Sequence, residues 1–303
     1  MIYVTQGSES GIGTEIFLKA FLLLEKNLRQ NIVYIGNSHN LKQTCDYCGF
    51  IFSKISNTLI GVNNHKLNFI PATNSSQIVI SALNQALSLC RPSDILITLP
   101  ANKEDTNGAG YTEYLRNKFN NPFLPMSFKS SMCNLLLLTD HCPLSSVAPT
   151  LSKDFICFKL EYAINGFQDF FSKLEKVIFL GVNPHAGENG CLGTEESVFY
   201  DAINSLKIQF PNIAFSGPLA ADSFFLYEKF DRKSLIVSAY HDQLLPMFKK
   251  SFGKIGTNIT FGLPFLRMTV DHGTAPDLVG KNQADPSSIL FLFNLVRLIY
   301  ADN

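Results

Sequence analysis

The sequence has no tryptophan, and charged residues fill only 17% of its 303 positions. Lys+Arg and Asp+Glu number 25 each, so neither sign dominates, and no basic run or pole offers a footprint for nucleic acid. Long apolar runs are missing as well. Phe21 to Leu24 and Asn134 to Leu138 are among the longest, far short of the roughly 20 residues a bilayer-spanning helix needs. No charged segment followed by an apolar one opens the chain, so neither a signal peptide nor a membrane partner is expected. The seven cysteines are odd in number and scattered, which argues for a reducing cytoplasm over a disulfide scaffold. Cys45 and Cys48 form a C-x-x-C with no second pair at ribbon spacing, so they read as incidental thiols beside a turn at Gly49. No local H-x-x-x-H pair is present either.

What the chain does have is a 46% share of hydrophobic residues, enough for a full core in one large α/β domain or two lobes. Ile2–Thr5 reads as a strand, followed by the glycine-rich Gly7–Gly13 and a helical run from Thr14, which could cap it, to Leu24. Strand, glycine loop and helix can present backbone N–H groups to an anion; equally, the glycines simply turn the chain, and Glu9 would oppose a phosphate. Asn31–Gly36 is a second strand, and a helix is expected over Ser75–Leu89.

A recurring form follows. Asp94–Thr98, Asn134–Leu138, Val177–Leu180 and Leu235–Val237 are apolar runs that each give way to polar residues. Continuous apolar runs mark strands covered on both faces, hence a layered α/β architecture. His141, His185 and His241 fall just past three of these runs. In open α/β sheets ligands bind beyond the carboxyl ends of strands, so independent strands can bring these imidazoles to one rim. Three neutral imidazoles with an open position suit zinc or a similar divalent ion; three unrelated loop histidines are the plain alternative. His39 and His65, in polar surroundings, read as solvated. Asp222 could orient a histidine or alcohol, or cap the helix beginning at Ser223. Lys249, Asn258 and Arg267, nine residues apart, would suit an anionic substrate, since arginine forks onto phosphate or carboxylate.

Five segments in order, GVNPHAGENGCLGTEE (181–196), GPLAADSFF (217–225), YHDQLLPMFK (240–249), NITFGLPFLR (258–267) and VDHGTAPDLVGK (270–281), resemble the 4-hydroxythreonine-4-phosphate dehydrogenase family of vitamin B6 biosynthesis. The last also resembles the HGSAPD-type loop of isopropylmalate and isocitrate dehydrogenases, which bind NAD without a G-x-G-x-x-G fingerprint. The resemblance implies a layered α/β/α fold of that superfamily, with two interleaved lobes in one catalytic unit (1–303) and an active-site cleft between them. It implies oxidation of 4-phosphohydroxy-L-threonine with NAD or NADP, followed by decarboxylation to 3-amino-2-oxopropyl phosphate. It further implies a divalent metal (zinc, or magnesium or cobalt) on His141, His185 and His241, with His241 supplied across a homodimer that shares its active site. Tyr111, Thr112, Lys249, Asn258 and Arg267 fall at substrate-binding positions, His272, Ala275 and Asp277 along the dinucleotide, and Asp222 and Asp242 as catalytic candidates.

Departures from the family pattern fall in the N-terminal half. Gly7–Glu15 lacks the acidic residue and both prolines of G-[DE]-P-A-G-I-G-P-E, and Tyr111 replaces the histidine of G-H-T-E after a shortened Asn102–Gly108 stretch. Tyrosine can donate a hydrogen bond but carries no imidazolium charge at neutral pH. A dehydrogenase for threonate or erythronate 4-phosphate, and a weakened paralogue that binds ligand without turnover, are the alternatives these departures leave open.

Overall fold

The computed structural model describes residues 1–303 except 74, 75, 107, 228, 229, 254, 302 and 303. The chain divides into two compact units, Met1–Asn120 with Leu263–Asn303, and Asn121–Gly262. Strands in chain order are β1 Ile2–Thr5, β2 Ile32–Gly36, β3 Phe52–Lys54, β4 Leu59–Val62, β5 His65–Pro71, β6 Ile95–Thr98, β7 Met126–Lys129, β8 Asn134–Leu137, β9 Lys176–Leu180, β10 Ala214–Leu219, β11 Ser234–Ser238, β12 Thr257–Thr260 and β13 Leu266–Val270.

In the first unit the order is β13-β6-β1-β2-β5-β4-β3. The five strands from β13 to β5 run parallel, and β4 and β3 are antiparallel additions at one edge. All five residues of β2 are buried, as are the four of β6. Val33, Ile35 and Leu96 pack on Ala82, Leu83 and Ala86 of the helix Ile78–Leu89. That helix begins three residues later than the sequence suggested, and Ser75 lies outside the described residues.

The second unit has the order β10-β9-β11-β8-β7-β12. β10, β9, β11 and β8 are parallel, so their carboxyl ends share one rim; β7 runs antiparallel to both of its neighbours, β8 and β12. Leu135 and Leu137 of β8 face Leu244, Leu245 and Phe248 of the helix His241–Phe252, with Ile178 and Ile236 in the same cluster. On β9, Phe179 meets Phe199 of the helix Ser197–Gln209, ring centres 5.8 Å apart. Burial of each such side chain contributes roughly 1.5–3 kcal/mol. The helix Lys153–Phe170 starts from a Ser152 cap whose side chain accepts from the Phe155 amide.

Two helix starts differ from expectation. The first helix begins at Gly13 with Ile12 at the cap position, and Thr14 lies inside it, donating from Oγ1 to Asn40 Oδ1 at 2.7 Å. Another helix begins at Ala221, so Asp222 sits in its first turn and does not cap it. Among the described residues, no helix is long and apolar enough to cross a membrane.

Candidate metal centre and anion-binding residues

The rim of the second unit carries the histidines in strand order. His141 follows β8, His241 follows β11, and His185 follows β9, with Asp222 beyond β10 at the end. Between β8 and β11 the ladder continues past the strands: Leu138 N donates to Ser238 O at 2.9 Å and Thr139 N to Ala239 O at 3.1 Å. Thr139 Oγ1 adds a second bond to Ala239 O at 2.7 Å, and the buried Lys159 donates to Leu138 O at 2.7 Å. Two residues further along each chain segment, the rings of His141 and His241 approach to 5.6 Å between centres. Neutral imidazoles are the donor type a zinc ion takes, and this rim presents them from neighbouring strand ends.

The carboxylates beside the rings fit it too. Asp242 Oδ1 holds His241 Nδ1 at 2.9 Å, and Glu188 Oε1 holds His185 Nδ1 at 2.6 Å. A carboxylate on Nδ1 fixes the proton there and leaves the Nε2 lone pair for a metal. Glu188, with Asp222 adding a smaller field, raises the His185 pKa above its ordinary value. Among the described residues, no three His, Cys, Asp or Glu side chains meet at ligating distance in one chain. His141 and His241 are therefore brought together, while His185 stands on the next strand end.

The His185 segment is unusual in its backbone. His185, Ala186, Gly187, Glu188 and Asn189 all have left-handed φ, between 44° and 78°. Left-handed L-residues cost roughly 1–2 kcal/mol each, so the surroundings must hold them. The buried Glu196 does so, accepting from the Asn183 amide at 2.8 Å and from Asn183 Nδ2 at 3.0 Å. Sequence reasoning gave Glu196 no role; its place in the acidic pair closing the 181–196 segment was the available signal.

Lys249 is exposed on the helix Phe252 ends, and Asn258 is buried in β12 opposite Phe128. In the first unit Arg267 is 1% exposed, donates from Nη2 to Thr98 Oγ1 at 2.7 Å and lies 5.3 Å over the Tyr111 ring. Burial pulls its pKa down to about 10, which leaves it cationic at neutral pH. Tyr111 opens the helix Tyr111–Lys118, and its phenol donates to Leu99 O at 3.0 Å. Its proton is thus spent on the protein. Thr112, next in the helix, is buried.

The glycine loop is not an open anion cradle. Ser8 N donates to Pro100 O, Gly11 N to Ser8 O and Ile12 N to Thr274 O, so three of its amides are occupied. A Cβ on Gly7 would stand 2.0 Å from Pro100 O, so glycine is there for close backbone approach. Ser8 replaces the family's acidic residue, yet a carboxylate is present: Asp105 accepts from Ser8 Oγ and from the Asn102 amide. Thr274 Oγ1 joins this network through Asn102 Oδ1 at 2.9 Å.

His272, Ala275 and Asp277 share the loop after β13. Both His272 nitrogens are engaged, with Gly273 O and Ser288 Oγ, each at 2.9 Å. Ala275 has φ 45°, and Asp277 is exposed. Nothing lies within 4 Å of a Cβ built on Gly273. His39 is exposed and His65 half-buried in β5. Cys45 and Cys48 are free, buried thiols whose pKa values burial pushes up to about 12 and about 11, the reverse of a reactive or metal-binding pair.

Comparison with known proteins gives concordant results. The family model described as "Pyridoxal phosphate biosynthetic protein PdxA" matches residues 28–295. The 4-hydroxythreonine-4-phosphate dehydrogenase of Sulfurihydrogenibium sp. is 32% identical, covering 98% of this chain and 97% of its own. The crystal structure of 4-hydroxythreonine-4-phosphate dehydrogenase from Klebsiella pneumoniae superposes with TM-score 0.74 at 25% identity, over 99% of both chains. Isocitrate dehydrogenase from Methylococcus capsulatus shares the fold at TM-score 0.51 and 11% identity, over 99% of this chain and 85% of that one. A match over most of the length, with the histidines at successive strand ends, places this chain in the PdxA family of pyridoxal phosphate biosynthetic proteins.

Proposed function

We propose that the protein is a 4-hydroxythreonine-4-phosphate dehydrogenase, acting with NAD or NADP and a divalent metal. It would oxidise the secondary hydroxyl of 4-phosphohydroxy-L-threonine and release carbon dioxide to give 3-amino-2-oxopropyl phosphate. The observation that carries this reading is the placement of His141, His241 and His185 just past the carboxyl ends of the neighbouring strands β8, β11 and β9, on one rim. The Sulfurihydrogenibium relative, which covers 98% of this chain, is named for this activity.

His141, His185 and His241 would hold the ion, zinc being the best match to neutral imidazole. When bound, the metal and the nicotinamide supply Lewis acidity at the substrate hydroxyl and an acceptor for hydride. Asp242 and Glu188 keep the His241 and His185 rings in the tautomer that exposes Nε2. Asp222, within electrostatic reach of His185, is the candidate to orient or relay a proton at the hydroxyl. Arg267, fixed by Thr98 and by burial, would bind an anionic group of the substrate; Lys249 and Asn258 are the substrate-binding candidates of the second unit. Asp277 would meet the dinucleotide. A homodimer is part of the proposal, with His241 of a second copy completing the ligand set that one chain gathers only in part.

A second reading keeps the fold and changes the substrate: a phosphorylated sugar acid such as threonate or erythronate 4-phosphate, which carries the same phosphate and a hydroxyl in place of the amine. The Tyr111 proton goes to Leu99 O, so this residue does not offer a phosphate what the family histidine does, with either substrate. The test of the metal reading is His185→Ala, expected to lose bound metal and turnover together; an active, metal-free variant would refute it.

A further inference from the structure

Thr98 and Leu99, the last residue of β6 and the one after it, hold two side chains of other segments. Thr98 Oγ1 accepts from Arg267 Nη2 at 2.7 Å, and Leu99 O accepts from the Tyr111 phenol at 3.0 Å. These two residues are themselves tied on both sides. Leu99 N donates to Thr5 O at 3.2 Å, and Thr269 Oγ1 donates to Thr98 O at 2.7 Å. Held by consecutive residues, the two side chains meet, with the Arg267 guanidinium carbon 5.3 Å from the centre of the Tyr111 ring and over its face. Tyr111 also packs against the cluster that contains Phe265 and Leu96. All of these residues belong to the first unit. The guanidinium is thus held at one nitrogen by Thr98 and on one face by a ring whose own position is bonded down.

We propose that Tyr111 is a positioning residue: its ring is the platform that orients Arg267 for the anionic group of the substrate, and the tyrosine itself does not touch that group. The inference rests on the reading of Arg267 above as a substrate-binding residue. An arginine side chain turns about several single bonds, and it grips an anion well only when its planar fork faces one way. The Thr98 hydroxyl fixes one nitrogen, and the ring beneath fixes the plane. The attraction between cation and ring is strongest where water is excluded, and Arg267 is 1% exposed. Tyr111 stands where the family pattern has histidine. A protonated imidazole there would set positive charge against the guanidinium, whereas a phenol stays neutral at neutral pH. Ring and cation can therefore share this buried site. What the position requires is an aromatic face: phenylalanine keeps it, while leucine and methionine fill space without it.

The test is steady-state kinetics of the full-length enzyme, with metal and nicotinamide saturating, for wild type, Tyr111→Phe, Tyr111→Leu, Tyr111→Met and Arg267→Met. The substrate is whichever of 4-phosphohydroxy-L-threonine and threonate 4-phosphate the wild type turns over. Melting temperature is recorded for each protein. Losing a desolvated contact between cation and ring corresponds to roughly threefold to thirtyfold weaker binding. KM should rise by that factor in Tyr111→Leu and Tyr111→Met while kcat stays within about twofold, the split that follows when binding common to ground and transition states is lost. Tyr111→Phe, which keeps the ring, should stay within about twofold of the wild-type KM. A purely structural tyrosine would lower the melting temperature of the leucine and methionine variants and leave KM alone, and that result overturns the inference. So does a KM rise in Tyr111→Phe equal to that in Tyr111→Leu, which would assign the effect to the hydroxyl. Should Tyr111→Leu unfold, Tyr111→Met, whose longer chain fills more of the ring's space, carries the test. A wild-type KM in Arg267→Met, or a wild type that turns over neither substrate, removes the reading of Arg267 and this inference with it. Both are distinct from an Arg267 that binds substrate indifferently to residue 111.

Discussion

Thr139 gives both its amide and its hydroxyl to the carbonyl of Ala239, at 3.1 Å and 2.7 Å. This doubled bond is the last tie between the segments that end in His141 and His241. Thr139→Val keeps the shape and the amide bond but removes the hydroxyl. The expected loss is about 1 kcal/mol of stability, read by denaturant unfolding, together with a several-fold weaker zinc affinity. Unchanged zinc affinity would mean the backbone alone holds the ring pair.

Arg267 should separate binding from stability. Its charge is fully desolvated, and replacing buried charge with an apolar side chain is often neutral or stabilising. Arg267→Met is therefore expected to keep or raise the melting temperature while raising the KM for a phosphorylated substrate by at least about tenfold. Arg267→Lys, which keeps charge but lacks the fork, should recover little of that loss. A fall in stability with an unchanged KM would reassign Arg267 to the core.

Tyr111→Phe removes a bond to Leu99 O and nothing else. It should cost about 1 kcal/mol of stability and leave the substrate KM unchanged within twofold. A large KM effect would show that the phenol reaches the substrate after all.

Lys129 predicts a pH dependence. It is buried, donates to Asn134 Oδ1 at 3.0 Å, and burial lowers its pKa to about 8 from an ordinary 10.5. Between those values the unfolded chain binds the proton and the folded one does not, so stability rises with pH from about 8 to 10.5. Below that window the penalty for burying the charge is present in full, on the order of 3 kcal/mol. Lys129→Met should flatten this rise in urea unfolding measured across the same window. An equal rise in the variant would exclude Lys129 as its source.

The parallel framework was legible because β1, β2, β6, β8, β9 and β11 are covered on both faces and so read as unbroken apolar runs. Two other strands were not. β5, HKLNFIP, buries only Leu67 and Phe69, and β12, TNIT, is polar yet buried. The histidines could be assigned to a rim because each follows such a run directly. Glu196 could not be assigned, since it acts by bonding the amide and side chain of Asn183 in another segment. The Gly7–Gly13 loop could be read in two ways because glycine permits both; its amides turn out to be spent on Pro100, Ser8 and Thr274.

The most direct measurement is formation of reduced nicotinamide, followed by its near-ultraviolet absorbance, with 4-phosphohydroxy-L-threonine after chelation and again after zinc, magnesium or cobalt is restored. The account predicts turnover that disappears with the metal, returns with it, and releases one carbon dioxide for each nicotinamide reduced. Turnover on threonate or erythronate 4-phosphate alone would move the substrate to the sugar acids. Turnover that survives complete metal removal would contradict the account at its centre.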